Sequence, residues 1–192
     1  FFPNAQWVGD GMQVVVEVDD VPHTFNVEMN VDAFTAAFVG AHVSRTEDSE
    51  AVVATFEDSV ATTGRRPEAL LLDNKPSNHA PAVDDALGST LRIRATPYRP
   101  QNKAHVEGGF GLLKPTLEGL TLSGNTPQER AASFLRALVI TAARAINHRP
   151  RRDRGGASRA DLMKGTPSPE EVEHARRSLR ERLARQEKAR ET

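Results

Sequence analysis

The chain has 192 residues, 38% of them hydrophobic, no cysteine and a formal net charge of −1. That length suits one domain with a short appendage, and the lack of cysteine excludes a disulfide scaffold, a thiolate zinc site and thiol catalysis. No apolar run is long enough to span a bilayer, and the opening FFPNAQW lacks both the basic and the apolar region of a signal peptide.

Residues 7–18 (WVGDGMQVVVEV) are β-branched and partly alternating, and they stop at the turn pair Asp19-Asp20. Residues 23–31 (HTFNVEMNV) alternate again, and a third apolar run follows from Phe34 to Val43, so an antiparallel meander is expected. The period then changes. Val52, Phe56 and Val60 recur at helical spacing, with Glu47, Asp48 and Glu50 crowding the first turn and Gly64 and Pro67 ending the helix.

Ala69-Leu70-Leu71-Leu72 is a strand with no polar side, as in the covered middle of a sheet, and it ends in Asp73. Residues 82–87 suit one or two helical turns, and TLRIRAT (90–96) reads as a strand nearer an edge. From Asn102 to about Leu113 the pattern is helical, with Pro115 breaking it. Thr126-Pro127-Gln128-Glu129 offers an N-cap, a first-turn Pro and a capping-box Glu for a helix that stops at Pro150.

Residues 149–167 have the composition of a linker, and Ser168-Pro169-Glu170-Glu171 opens a last helix with a thin apolar stripe at Val172, Ala175, Leu179 and Leu183. Charge is uneven along the chain: residues 1–143 hold 11 basic and 18 acidic side chains, residues 144–192 hold 14 and 8. A basic tail on an acidic body suits a polyanionic partner, although a solvated helix of alternating charge has the same composition. The order β-β-β-α-β-α-β-α-α predicts an α/β fold with a mixed sheet, its later strands parallel to the first. Ligands of such sheets collect where strand connections diverge.

Three acids stand out by their settings. Asp10 lies within the first apolar strand between Gly9 and Gly11, where a charge is costly unless paired or metal-bound. Asp73 ends the buried strand, and Glu107 follows a loop on the first turns of a helix. Taken singly, each has an ordinary reading as an edge residue, a helix cap or a surface side chain. Taken together, three convergent carboxylates call for a cation, and Mg²⁺ with its oxygen ligands and retained water is the natural one.

The stretches QWVGDG (6–11), LLLDN (70–74) and PYRPQNKAHVE (97–107) resemble the three catalytic blocks of the retroviral-integrase-like DDE transposases. The third block carries most of the likeness, through Tyr98, Pro100, Gln101, Lys103, Val106 and Glu107, with 33 residues between Asp73 and Glu107. Asn147-His148-Arg149-Pro150 is similar to the segment closing the core in bacterial members. The resemblance implies an RNase H-like core over residues 1–150, with a five-stranded mixed sheet of a three-strand antiparallel meander and two parallel strands. Residues 151–192 are then a basic linker and C-terminal helix.

It also implies two-metal phosphoryl transfer on double-stranded DNA, with Asp10, Asp73 and Glu107 as catalytic residues and ligands of two Mg²⁺ (or Mn²⁺) ions. Asp10 would bridge both ions, and Asp73 and Glu107 would each complete one. The reactions would be hydrolysis at a mobile element's 3′ end and strand transfer to target DNA, by a homo-oligomer in the active complex. Candidate phosphate contacts are Lys75, Lys103, Lys114, Arg149, Arg151 and Arg152, while His79 and His105 flank the site in sequence.

The chain departs from the family's pattern in three places. Lys75-Pro76 follows Asp73-Asn74 where a Gly is common, Gly108-Gly109 follows Glu107 where Arg is frequent, and Ser158-Arg159 stands where Ser/Thr-Pro is frequent. The rival readings are an RNase H-like nuclease that does not join strands and a domesticated core that only binds DNA or partners. With no initiator Met the chain reads as an excised fragment, and nothing in it needs an oxidising compartment, so the cytoplasm (the nucleoid, if bacterial) is expected. The glycines after Glu107 and the Pro-containing loop before it predict that without metal Glu107 is swung away or poorly ordered while the two aspartates stay in place, and that the second ion with DNA draws it in.

Overall fold

The computed structural model describes residues 1–18, 20–95, 121–122 and 127–190. The expected helix over 102–113, with Lys103, His105, Glu107 and Lys114, lies outside the described residues, as does the expected outward position of Glu107. The meander is formed by β1 (Gln6–Val18), β2 (Val21–Asp32) and β3 (Phe38–Ser44). Register pairs Val18 with Val21, which leaves two residues for the hairpin turn, and Asp20 there takes φ 60°.

The third apolar run was read as strand from Phe34, but β3 begins at Phe38. Asp32 decides this. Its Oδ1 accepts from the Phe34 and Thr35 N–H groups and from Thr35 Oγ1, and Ala36 sits at φ 58°, so residues 33–37 form a turn.

Helix α1 (Ser49–Thr63) starts at Asp48, whose carboxylate accepts from Ala51 N, and ends at Gly64 in the left-handed region at φ 68°. Strand β4 (Ala69–Leu72) is buried throughout, as its unbroken apolar run implies. A 3₁₀ turn over Pro76–His79 and helix α2 (Pro81–Leu87) lead to β5 (Leu91–Arg94). A two-residue strand that the sequence did not suggest, β6 (Thr121–Leu122), runs parallel to β1 at Glu17 and Val18.

The long path of the sheet is β3-β2-β1-β4-β5, with β1, β4 and β5 mutually parallel. This is the five-stranded mixed sheet that the element order predicts. One face carries Val8, Val16, Val27, Met29 and Leu71 and is covered by α3 (Pro127–His148) through Ala131, Leu135 and Val139. The other carries Trp7, Leu70 and Leu72 under α1 and α2, with Phe56 against Trp7 at 5.9 Å between ring centroids. Helix α1 sits so close to β3 that a Cβ on Gly40 would come within 2.6 Å of the Ser59 backbone nitrogen.

Residues 149–168 carry a 3₁₀ turn at Arg152–Arg154, a β-bridge between Pro150 and Ser158, and the short helix α4 (Arg159–Leu162). Ser158 and Ser168 each form a full capping box, opening α4 and α5 (Pro169–Lys188). Leu179 of α5 enters the core beside α3, and Ala175 packs with Phe2 and Ala5. Among the described residues no helix is long and apolar enough to cross a membrane.

Candidate active site

Two of the three sequence-selected acids come together through strand register. β1 and β4 run parallel with Trp7 beside Leu70 and Val8 beside Leu71. Two residues further along are Asp10 and Asp73, where β4 has ended and β1 continues to Val18. The aspartates therefore flank the point at which neighbouring strands part, where a parallel sheet opens a crevice.

Asp73 is held from its own loop. Its Oδ1 accepts from Lys75 N at 3.1 Å and from Asn78 Nδ2. Its Oδ2 lies 3.7 Å from the Lys75 ammonium, which also pairs with Glu47 at the entry to α1. Burial opposes the charge on Lys75, but the bond to Glu47 and the fields of Asp73 and Asp10 outweigh it and raise its pKa. A cation is thus already accommodated among these carboxylates.

A further acid belongs to this corner. Glu28 on β2 faces Gly11 on β1, is 3% exposed, and has its Oε2 2.4 Å from where a Gly11 Cβ would stand. Asn26 Nδ2 donates to it at 3.3 Å. Burial, reinforced by Asp10 and Glu47, pushes its pKa up to about 7 against the Asn26 bond and the field of Lys75. Sequence reasoning passed over Glu28 because alternation in β2 gives Asn26, Glu28 and Asn30 one side without showing that α1 covers it. All three are 3% exposed. The available signal was the glycine pair in β1, since Gly in a strand marks close approach: Gly11 faces Glu28 and Gly9 faces Asn30.

The sequence-selected arginines lie elsewhere. Arg151 clamps Asp153 through Nε and Nη2 and donates from Nη1 to Thr35 O at 3.3 Å. That is beside the Asp32 turn, at the opposite end of β4 from Asp73. Arg149 and Arg152 are exposed on the same segment. Among the described residues no group of three or more His, Asp or Glu is placed to hold a metal ion.

No family model and no curated protein matches the sequence. Solved structures do. A chain of the simian T-cell lymphotropic virus intasome in complex with PP2A regulatory subunit B56 gamma superposes with TM-score 0.65 at 21% identity, over 88% of this chain and 57% of that one. The HTLV-2 integrase catalytic core domain in complex with magnesium (dimeric form) gives 0.63 at 17% identity, over 86% and 99%. The catalytic core domain of BIV integrase gives 0.57 at 17% identity, over 83% and 93%. This chain thus spans little more than half of the simian chain but nearly the whole of the isolated cores. Its fold is the RNase H-like fold of the retroviral integrase catalytic cores.

Proposed function

We propose that this chain is the catalytic core of a DNA transposase or integrase, acting by metal-dependent 3′-end hydrolysis and strand transfer. The observation that carries the reading is the β1–β4 register, which brings Asp10 level with Asp73 at the parting of two parallel strands. The fold shared with integrase cores supports it, and so does the spacing of Glu107 from Asp73.

Asp10, Asp73 and Glu107 would hold two Mg²⁺ or Mn²⁺ ions. The corner fits a cation: its oxygen donors are carboxylates, Lys75 already brings an ammonium to Asp73, and burial reinforced by Asp10 and Glu47 raises the pKa of Glu28 to about 7. Bound metal would supply Lewis-acid activation of a water or 3′-hydroxyl and charge neutralisation at the departing oxygen. The chain's own groups set the frame. Asn78 and the Lys75 N–H fix the Asp73 carboxylate. Lys75, anchored to Glu47, keeps a positive charge at the mouth, suited to a non-bridging phosphate oxygen. Lys103 and Lys114 are proposed for the flanking backbone. Arg149, Arg151 and Arg152, beyond the far end of β4, are assigned only to duplex remote from the reacting phosphate.

The test is joining of pre-cleaved duplex ends to target DNA by the wild type and by Asp10→Asn, Asp73→Asn and Glu107→Gln. Each substitution is expected to abolish joining while leaving the protein folded. Near wild-type joining by any of the three overturns the assignment, and nicking without joining moves the reading to a nuclease. Mg²⁺ or Mn²⁺ should also raise the melting temperature of the wild type, and much less that of Asp10→Asn. No response in the wild type favours a non-catalytic core.

A further inference from the structure

The basic tail acquires a specific place in this fold. Strand β5 is parallel to β4, with Arg94 level with Leu72 and so one step from Asp73. Arg92 and Arg94 alternate with Leu91 and Ile93, and Ile93 fills the core. Arg92 pairs with Asp84 at 3.2 Å. Its Nη1 also reaches the carbonyl of Asn78, whose side chain holds Asp73.

Helix α5 lies along this edge. Leu179 anchors it in the core, and Gln186 Nε2 donates to Arg94 O at 2.8 Å. Arg190 follows four residues after Gln186, just past the end of the helix at Lys188. The dipole of α5 accounts for Arg185 and Lys188 in its last turn. It gives no reason for Arg190 to stand where its charge acts on Arg94. Among the described residues neither Arg94 nor Arg190 has an ion-pair partner, and Asp84 is committed to Arg92. Burial, then the charges of Arg190 and Arg92, depress the pKa of Arg94 against the opposing field of Asp84. Burial, then the charges of Arg94 and Arg92 and more weakly Arg190, lower the pKa of His79 against its backbone hydrogen bond at Asp73. Three guanidinium groups act on one another here against the one carboxylate of Asp84, an excess of positive charge that a visiting anion would relieve.

We propose that Arg94 and Arg190, backed by Arg92, form a binding site for the sugar-phosphate backbone of DNA beside Asp73, with α5 supplying half of it. The inference rests on the proposed DNA-processing function and deepens it. It turns the C-terminal helix from a tail into part of the substrate path. The backbone is the ligand because guanidinium groups at the open end of parallel strands, one step from Asp73, suit the phosphate oxygens of a duplex.

The experiment compares the wild type, Arg94→Gln/Arg190→Gln and the charge-keeping Arg94→Lys/Arg190→Lys on a fluorescent DNA duplex. Binding is measured in EDTA across a range of salt, with melting temperature as the check on folding. The Gln double variant should bind roughly tenfold more weakly near 0.1 M salt. Its slope of log affinity against log salt should be shallower by about 1 to 2, each lost phosphate contact removing about 0.9. The Lys variant should keep the wild-type slope. An unchanged slope in the Gln variant, an equally shallow one in the Lys variant, or no salt-dependent duplex binding by the wild type each overturns the site. Because binding is read without metal, a shallower slope in a protein that never joins strands keeps this site and removes the proposed function. An unchanged slope alongside joining that needs Asp73 does the reverse.

Discussion

Asp32 and Asp73 both end a strand of the same sheet, yet their surroundings are opposite. Asp32 is fully buried, and its two oxygens take hydrogen bonds from the Asn4, Phe34 and Thr35 N–H groups and from Thr35 Oγ1. Its charge is consumed by donors that shape a turn. Asp73 has a side chain 19% exposed and faces a corner that also holds Asp10, Glu28, Glu47 and one ammonium. Asp73 also has donors, in Lys75 N and Asn78 Nδ2. But a part-exposed carboxylate that shares its corner with other acids is available to a cation, whereas a buried one whose oxygens are all taken up by a turn is part of the framework. The fold keeps the two kinds at opposite ends of β4.

Substitution separates them most widely. Asp73→Asn and Asp10→Asn should cut joining by at least about 1,000-fold, the several kcal/mol that a catalytic metal contributes. Stability should move by less than about 1 kcal/mol, because an amide oxygen still accepts the bonds that fix residue 73. Asp32→Ala should do the opposite. It strands buried donors and should cost about 3–4 kcal/mol in urea unfolding, with joining per folded molecule preserved. A stable Asp32→Ala protein, or an Asp73→Asn protein that unfolds, would break the distinction.

Glu28 sharpens it, being a buried acid with too few donors for its charge. Its folded pKa of about 7 lies above the ordinary 4.5, so the folded state binds the proton more tightly than the unfolded chain does. Stability from this group is therefore full below about pH 4.5 and is lost as pH rises to about 7. Glu28→Gln keeps the neutral shape and removes the loss. Measured in EDTA, the variant should gain at most about 3 kcal/mol over wild type at pH 8 and almost nothing at pH 4.5. Equal stability at both pH values would mean that Glu28 is comfortably ionised and that its burial does not weigh on its charge.

Local signals in the sequence carried much of this fold. The apolar run Ala69–Leu72 marked a central strand, and Asp48, Ser168 and Gly64 marked helix ends, because each acts through its near neighbours. Asp10 and Asp73 were legible for the same reason: a charge inside or just after an apolar strand is conspicuous without any partner in view. Glu28 was not, since its meaning depends on α1 covering one side of β2, a long-range fact. The start of β3 was misread because Phe34, Ala36 and Ala37 look like strand, while the donors gathered by Asp32 bend them. Arg94 and Arg190, 96 residues apart, come within reach of each other's charge only because α5 returns along β5.

The smallest expected effect lies at the framework end. Asn147, in the segment that closes the core, reaches β3 with its side chain: Nδ2 donates to Phe38 O at 2.8 Å, and Oδ1 accepts from Phe38 N at 2.9 Å. One amide thus takes the place of a strand residue at the first position of β3, next to the turn that Asp32 shapes. Asn147→Ala leaves a half-buried N–H and C=O without partners and should cost about 2 kcal/mol. Asn147→Asp keeps the acceptor but turns a second oxygen toward Phe38 O, so it should be no better than Ala near neutral pH. The loss should be local first. Amide exchange should speed up at Phe38 by about tenfold or more and stay near wild type at Val43, which remains paired with Val27 on β2. Joining should be unaffected in both variants. Equal acceleration along the whole of β3 would show that Asn147 holds the sheet rather than its corner, and a loss of joining would tie the framework end to the reacting end after all.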